Sequence, residues 1–229
     1  NKRFTAHPKI DSDTGEMHAV SYDFGEYVNG LGQVHYVTID SNGKLIKDQI
    51  IETPSRPMVH DCAITKNYVL IFDLPVTFNL GRRDDDNNPI GGDYPVVWND
   101  KHTSRVGLQN KKTDEIIWIE VNPGFLFHIV NSYEDDNGQV ILDFCRYERL
   151  FDFDNPLPMG QKPFLTRWIL DPKTKTCSEE MLDDRPMEFS RVHPDFDGKQ
   201  HRFGYLLNDG RLNNYFKHDF EKSGTIAHD

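Results

Sequence analysis

The chain has 229 residues, with 26 lysines and arginines against 37 aspartates and glutamates, a formal charge of −11 at neutral pH. Such an acidic surface repels phosphates and disfavours nucleic acid or anionic membranes as partners, while 12% aromatic residues argue for a packed core over a disordered chain. No apolar run reaches the roughly 18 to 20 residues of a spanning helix, and Cys62, Cys145 and Cys177 are too few and scattered for a disulfide framework or a cysteine zinc site.

Helical periodicity is nearly absent. In chain order, runs rich in β-branched and aromatic residues fall at 17–23, 33–39, 44–51, 68–73, 116–121, 125–131, 139–147, 164–170 and 203–207. Turn pairs stand between them: Thr14-Gly15, Asn42-Gly43, Asn137-Gly138, Asp197-Gly198 and Asp209-Gly210. Asn-Gly and Asp-Gly supply the positive φ that tight hairpins demand. Asp40-Ser41-Asn42-Gly43-Lys44 is the clearest hairpin of the set. The pattern predicts an all-β chain with strands about every 10 to 15 residues, as in sandwiches, barrels and propellers. No crisp repeat of the WD or kelch kind is present.

Two runs are apolar on both faces, Tyr68-Val69-Leu70-Ile71-Phe72 and Phe125-Leu126-Phe127-His128-Ile129-Val130. Strands without alternation belong deep in a packed interior. The stretch 81–100 breaks the strand pattern with Asp84-Asp85-Asp86-Asn87-Asn88-Pro89. Pro89 stands where an EF-hand turn needs Gly and no Glu closes the loop, so it reads as a solvated segment.

Three of the ten histidines sit in unusual company. His128 lies inside an apolar strand, where both ring nitrogens need partners. His60, in Pro57-Met58-Val59-His60-Asp61-Cys62, leads into the interior strand at Tyr68. His7 precedes Pro8, which pushes it towards an extended backbone. Taken singly, each reads first as a structural residue, because their spacing fits no local ligand motif. Taken together, three imidazoles from separate strands suit Fe, Zn or Cu. His18, His35, His102, His193, His201, His218 and His228 lie in polar stretches and read as structural. Nucleophilic catalysis is poorly supported: no nucleophile elbow or phosphate loop is present, and Cys62 and Cys145 sit in apolar strands where a thiol is inert. Glu188, between Met187 and Phe189, is either a surface carboxylate or one that orients a metal-bound histidine.

Four segments together resemble the carotenoid cleavage oxygenase family, which includes the lignostilbene dioxygenases and the retinal-pigment-epithelium isomerase. They are Thr5-Ala6-His7-Pro8-Lys9-Ile10-Asp11 with Thr14-Gly15-Glu16-Met17, and Met58-Val59-His60-Asp61-Cys62-Ala63-Ile64 running to Phe72-Asp73-Leu74-Pro75. The others are Phe127-His128-Ile129-Val130-Asn131-Ser132-Tyr133-Glu134 with Asp143-Phe144-Cys145-Arg146-Tyr147, and Glu188-Phe189-Ser190-Arg191-Val192 with Gly198-Lys199-Gln200-His201-Arg202-Phe203-Gly204-Tyr205.

The resemblance implies a seven-bladed β-propeller with ferrous iron on its axis. In the family four histidines hold the iron, and glutamates hydrogen-bond to the outer nitrogens of three of them. His7, His60 and His128 match three ligands, and Glu188 matches one glutamate. The fourth ligand has no match here, since neither His218 nor His228 has its context. Residues 1–229 are thus expected to form one partial propeller domain lacking the first and last blades, a piece that alone would not close the ring. Its start at Asn1, without Met or a signal peptide, agrees with a piece.

The implied activity is oxidative cleavage by O2 of a conjugated double bond in a carotenoid, apocarotenoid or stilbene-like substrate, with Fe(II) as cofactor and two carbonyl products. Retinoid isomerisation and a non-catalytic binding propeller are the alternatives. The implied partner is an apolar polyene or stilbenoid, with peripheral membrane contact through parts outside the chain left open. The sparse cysteines point to a reducing, cytoplasmic setting. Phe125, Phe127, Tyr133, Phe151 and Phe153 are expected to pack the core before lining any tunnel.

Overall fold

The structure, a computed structural model, describes residues 5–22, 32–78, 95–152, 161–208 and 214–228. Strands dominate it, and the helical element among the described residues is a short 3-10 turn at Pro194–Phe196. Strands β1 (Lys9–Ile10), β2 (Met17–Tyr22), β3 (Gly32–Ile39) and β4 (Leu45–Thr53) form an antiparallel sheet in chain order. β5 (Ala63–Ile64) and β6 (Tyr68–Asp73) open a second sheet. β7 (Val76–Phe78) and β8 (Val96–Trp98) pair as a separate ladder, after which β9 (Arg105–Asn110) and β10 (Ile116–Glu120) complete the second sheet in the order β10-β9-β6-β5. β11 (Phe125–Glu134), β12 (Val140–Tyr147), β13 (Phe164–Asp171) and the long β14 (Thr176–Arg191) make the third. β14 serves two sheets: residues up to Pro186 pair with β13, and Met187, Glu188 and Arg191 pair with β15 (Phe203–Asn208). β16 (Tyr215–Asp219) and β17 (Gly224–His228) then finish a fourth sheet. The result is a run of four-stranded antiparallel meanders, the blade unit of a propeller.

The core explains the two non-alternating runs. Leu70 and Phe72 of β6 pack with Phe125, Ile129, Leu142, Phe144 and Trp168 of the third sheet. Val69 and Ile71, on the opposite face, pack with Val20, Val34, Tyr36 and Ile51 of the first. β6 is therefore covered on both sides by neighbouring blades. The same holds one blade on, where Val130 and Cys145 face Leu165, Met187, Leu206 and Phe216. Each such side chain, fully removed from water, contributes about 1.5–3 kcal/mol. Outer strands alternate instead: in β4, Ile51 and Thr53 are buried while Leu45, Ile46 and Ile50 are exposed.

Five hairpin ends share one device, an aspartate whose carboxylate collects backbone N–H groups two to four residues on. Asp40 accepts from Asn42 N at 2.9 Å and Lys44 N at 2.8 Å, and Asp135 from Asn137 N at 3.0 Å and Gln139 N at 2.8 Å. Asp11, Asp171 and Asp219 do the same. The position that follows takes positive φ. It is glycine at Gly15, Gly43 and Gly138, but Lys175 and Ser223 at the other two.

Most predicted runs match observed strands to within one to three residues. The short strands β1, β5, β7 and β8, and the longer β9, β14, β16 and β17, have no counterpart among those runs. β14 reads Thr-Cys-Ser-Glu-Glu-Met-Leu-Asp-Asp-Arg over its first part, a mostly exposed edge whose polarity hides its strand character. β9 carries Gly107, where an added Cβ would stand 2.6 Å from Ile116 Cδ1 and 2.9 Å from Trp118 Cζ3. Glycine is there to let β10 side chains cross close over it. The stretch 81–100 is not strand-free, because Val96–Trp98 is β8; the acidic run 84–89, Asp209-Gly210 and Phe153 lie outside the described residues. Asp197-Gly198 follows the 3-10 turn and does not close a two-residue hairpin.

Candidate metal centre

The three singled-out histidines come from three different sheets. His7 sits just before β1, in an extended segment anchored by the Thr5 N–H to the Val20 carbonyl at 2.9 Å. His60 lies three residues before the start of β5, and His128 lies within β11. β5, β11 and the far half of β14 pack side by side, so these segments meet. His128 falls where the β11–β12 register shifts between Leu126 and Ile129. Glu188 likewise falls at a register shift in β14, and Phe189 beside it takes φ 53°. Such irregularities turn a side chain out of the regular strand direction.

The ring centroids of His7, His60 and His128 lie 4.9 to 5.2 Å apart, and one ligating nitrogen from each falls within 4.8 Å of the others. His7 Nε2 and His60 Nε2 face each other at 3.2 Å. On its outer side, His128 Nδ1 lies 2.5 Å from Glu188 Oε2. Glu188 is 2% exposed, which excludes the surface-carboxylate reading. An ionised carboxylate only accepts, so His128 Nδ1 carries the proton and Nε2 keeps a free lone pair. The same Glu188 oxygen accepts from the Phe189 N–H, which locks the carboxylate in place.

Burial is the main cause that holds His7 below the usual imidazole range, opposed by Asp61 and aided by His128. Burial, then His128 and His7, depress His60 to about 4. Neutral imidazoles are the form that binds a metal. His7 Nδ1 lies 3.2 Å from Arg191 Nη2, which can only donate. Ligation through Nε2 requires a proton on Nδ1, so the exposed Arg191 must then swing away. With that adjustment the set fits a cation held by imidazole, with a carboxylate fixing one ring from behind.

Two phenylalanine rings flank the histidines. Phe127 stands edge-on to His60 at 5.0 Å between ring centroids, and Phe189 covers His128 at 4.9 Å. A cavity of about 250 Å³ opens beside His7, lined among others by Pro8, Ile129, Val192 and Arg191. Phe125 and Phe151 are core residues as expected, and Phe127 packs against that core while touching the site. Tyr133 is half-buried and lies edge-on to His201.

Cys62 is fully buried, and desolvation pushes its thiol up to about 12, in keeping with an inert role. Among the other histidines, His18, His201 and His218 are buried structural residues. His102, read as structural, is so, and its side chain is buried within its loop. Its side chain is 2% exposed, with Nδ1 2.7 Å from Ser55 Oγ and Nε2 3.2 Å from the Asp73 carbonyl oxygen. Sequence reasoning also passed over Asp61 and Lys9. Both lie within quoted motifs, but a charged residue near a histidine carries no local sign of burial.

A family model described as retinal pigment epithelial membrane protein matches residues 1–228. The chain belongs to this family. Its curated relatives include a carotenoid cleavage oxygenase of Mycobacterium tuberculosis, 34% identical over 243 residues, covering 89% of this chain and 48% of that protein. Resveratrol cleavage oxygenase 1 of Chaetomium globosum is 30% identical over 195 residues, covering 80% of this chain and 32% of that protein. The crystal structure of cobalt-substituted Synechocystis apocarotenoid oxygenase superposes with a TM-score of 0.80 at 24% identity, covering 99% of this chain and 50% of that one. The chain thus spans about half the length, or less, of these relatives. The retinal pigment epithelial membrane protein family is where the motif resemblance had placed the chain, and the stacked blades agree with the family's propeller enzymes.

Proposed function

We propose that this chain carries three iron ligands, His7, His60 and His128, of an Fe(II)-dependent dioxygenase that cleaves a conjugated carbon–carbon double bond in a carotenoid, apocarotenoid or stilbene-like substrate, giving two carbonyl products. The observation that supports it is the convergence of three imidazoles from three sheets, their nitrogens within 4.8 Å, in a chain of this family. Bound there, iron would supply activation of O2, the co-substrate, beside the double bond. The residues do the rest. Glu188 holds the His128 ring and its Nδ1 proton, so that the inward nitrogen stays a strong donor. Phe127 and Phe189 flank the rings and would offer apolar surface to a polyene or stilbene. A purely structural propeller has no need of three imidazoles turned on one point.

The test uses the intact protein that carries this chain. Loaded with Fe(II) and given oxygen and a panel of apocarotenals and stilbenes, it should hold about one iron per chain and release paired aldehydes. In the same protein His60→Ala should lose iron retention and turnover while keeping the far-ultraviolet β signature. Stoichiometric iron and unchanged turnover in His60→Ala would remove the ligand assignment, and a geometrically isomerised product in place of aldehydes would favour isomerisation.

A further inference from the structure

Behind the three rings lies a second convergence. Asp61 is fully buried, and its carboxylate touches all three histidine-bearing segments. Oδ1 lies 3.0 Å from Lys9 Nζ, two residues past His7, and accepts from the Cys62 N–H of its own segment at 2.7 Å. Oδ2 accepts from the N–H of Ile129, the residue after His128, at 3.2 Å. Lys9 is itself 8% exposed. The Cys62 thiol adds a fourth link, reaching the His7 carbonyl oxygen at 3.7 Å.

We infer that Asp61 and Lys9 are positioning residues, a buried clamp that sets the distances between the three histidine segments and thereby the geometry of the metal centre. This rests on the metal reading above. The physical case is that a buried ion pair is a poor device for stability alone. Its desolvation often exceeds its attraction, and apolar replacements of similar volume are often neutral or stabilising. What the pair supplies here is direction. β1, β5 and β11 belong to three sheets with no ladder between them, so no strand pairing fixes how far apart their histidines stand. A carboxylate with several acceptor sites can hold three segments at once. An Asn at 61 has one carbonyl oxygen and a donor where the Ile129 N–H needs an acceptor, so it can hold only part of the set.

The deciding experiment loads the intact protein with Co(II), whose ligand-field bands report coordination geometry, and compares wild type with Asp61→Asn and with the double variant Lys9→Met/Asp61→Asn. The double variant leaves no unpaired buried charge, so it folds with a thermal midpoint near that of wild type even where Asp61→Asn alone does not. The clamp predicts that this folded double variant still binds cobalt about 10- to 100-fold more weakly, the usual size of an outer-sphere loss, and shows altered bands. A merely structural pair would move the midpoint and leave bands and affinity alone, so wild-type affinity and bands in the double variant overturn the clamp. Wild-type protein that takes up no cobalt overturns the metal reading and the clamp with it; the two failures are therefore distinguishable.

Discussion

Glu188 and His128 lie 60 residues apart, yet His128 Nδ1 and Glu188 Oε2 stand 2.5 Å from each other. Replacing Glu188 by Gln keeps the volume and one acceptor oxygen but removes the charge that fixes the Nδ1 proton. Metal affinity should fall about 10- to 100-fold, measured by competition dialysis, with the fold intact. Equal affinity would reduce Glu188 to a packing residue. His102 makes the opposite case, a histidine with no part in the site that still matters. Alanine there strips partners from the Ser55 hydroxyl and the Asp73 carbonyl and opens a gap beside the buried Asp73–Arg105 pair, whose Nε–Oδ2 distance is 2.7 Å. We expect about 1–3 kcal/mol of lost stability in urea unfolding, with metal binding unchanged. The three candidate ligand histidines stood out because each stands in its own motif; the burial of the His102 side chain did not, because its partners come from two other segments.

At the scale of single elements, the aspartate hairpins carry their own test. Lys175 occupies with φ 57° the position that Gly15, Gly43 and Gly138 occupy in sister turns. A side chain pays a steric penalty in the left-handed region that glycine does not. Lys175→Gly should therefore raise stability by about 0.5–1 kcal/mol, since the relief of strain outweighs the extra freedom of the unfolded chain. A lower unfolding midpoint for that variant would show that Lys175 makes contacts worth more than its strain. The same residue explains a missed strand: without Asn-Gly or Asp-Gly, nothing local announced the turn between β13 and β14. Asn42-Gly43 and Asn137-Gly138 announced theirs plainly, and the hairpins follow.

Over the whole molecule, stability should depend on pH through buried histidines away from the candidate metal centre. Burial depresses His18 and His201 to about 4, with Lys111 adding at His18 and Arg167 at His201. Unfolded, both titrate near the ordinary imidazole value of about 6.5. The folded state thus binds fewer protons than the unfolded state between these values, so stability is full above about pH 6.5 and is lost as pH falls towards 4. Each site contributes on the order of 3 kcal/mol over that window. Lowering the pH also relieves the repulsion of a chain carrying −11, but exposed charges interact weakly, so the histidines should win. Urea midpoints at pH 7.5 and 5 should show the loss, and His201→Gln should shrink it. A midpoint that does not fall, or falls equally in the variant, would remove the linkage.

What the sequence determined by itself is local in origin. Alternation, β-branched runs and Asn-Gly turns are short-range signals, and they placed the all-β class, most strands and the surest hairpins. The double-sided burial of 68–72 and 125–130 was also legible, because an apolar residue cannot point to water without cost. Family motifs then marked His7, His60, His128 and Glu188. Tertiary structure alone decided the rest. β14 is divided between two sheets, and the register shifts at His128 and Glu188 turn their side chains to each other. Asp61 gathers Lys9, Cys62 and Ile129 from segments with no shared ladder. These are contacts between residues tens of positions apart, set by how covered blades stack, and no local pattern of side chains encodes the angle at which two blades meet.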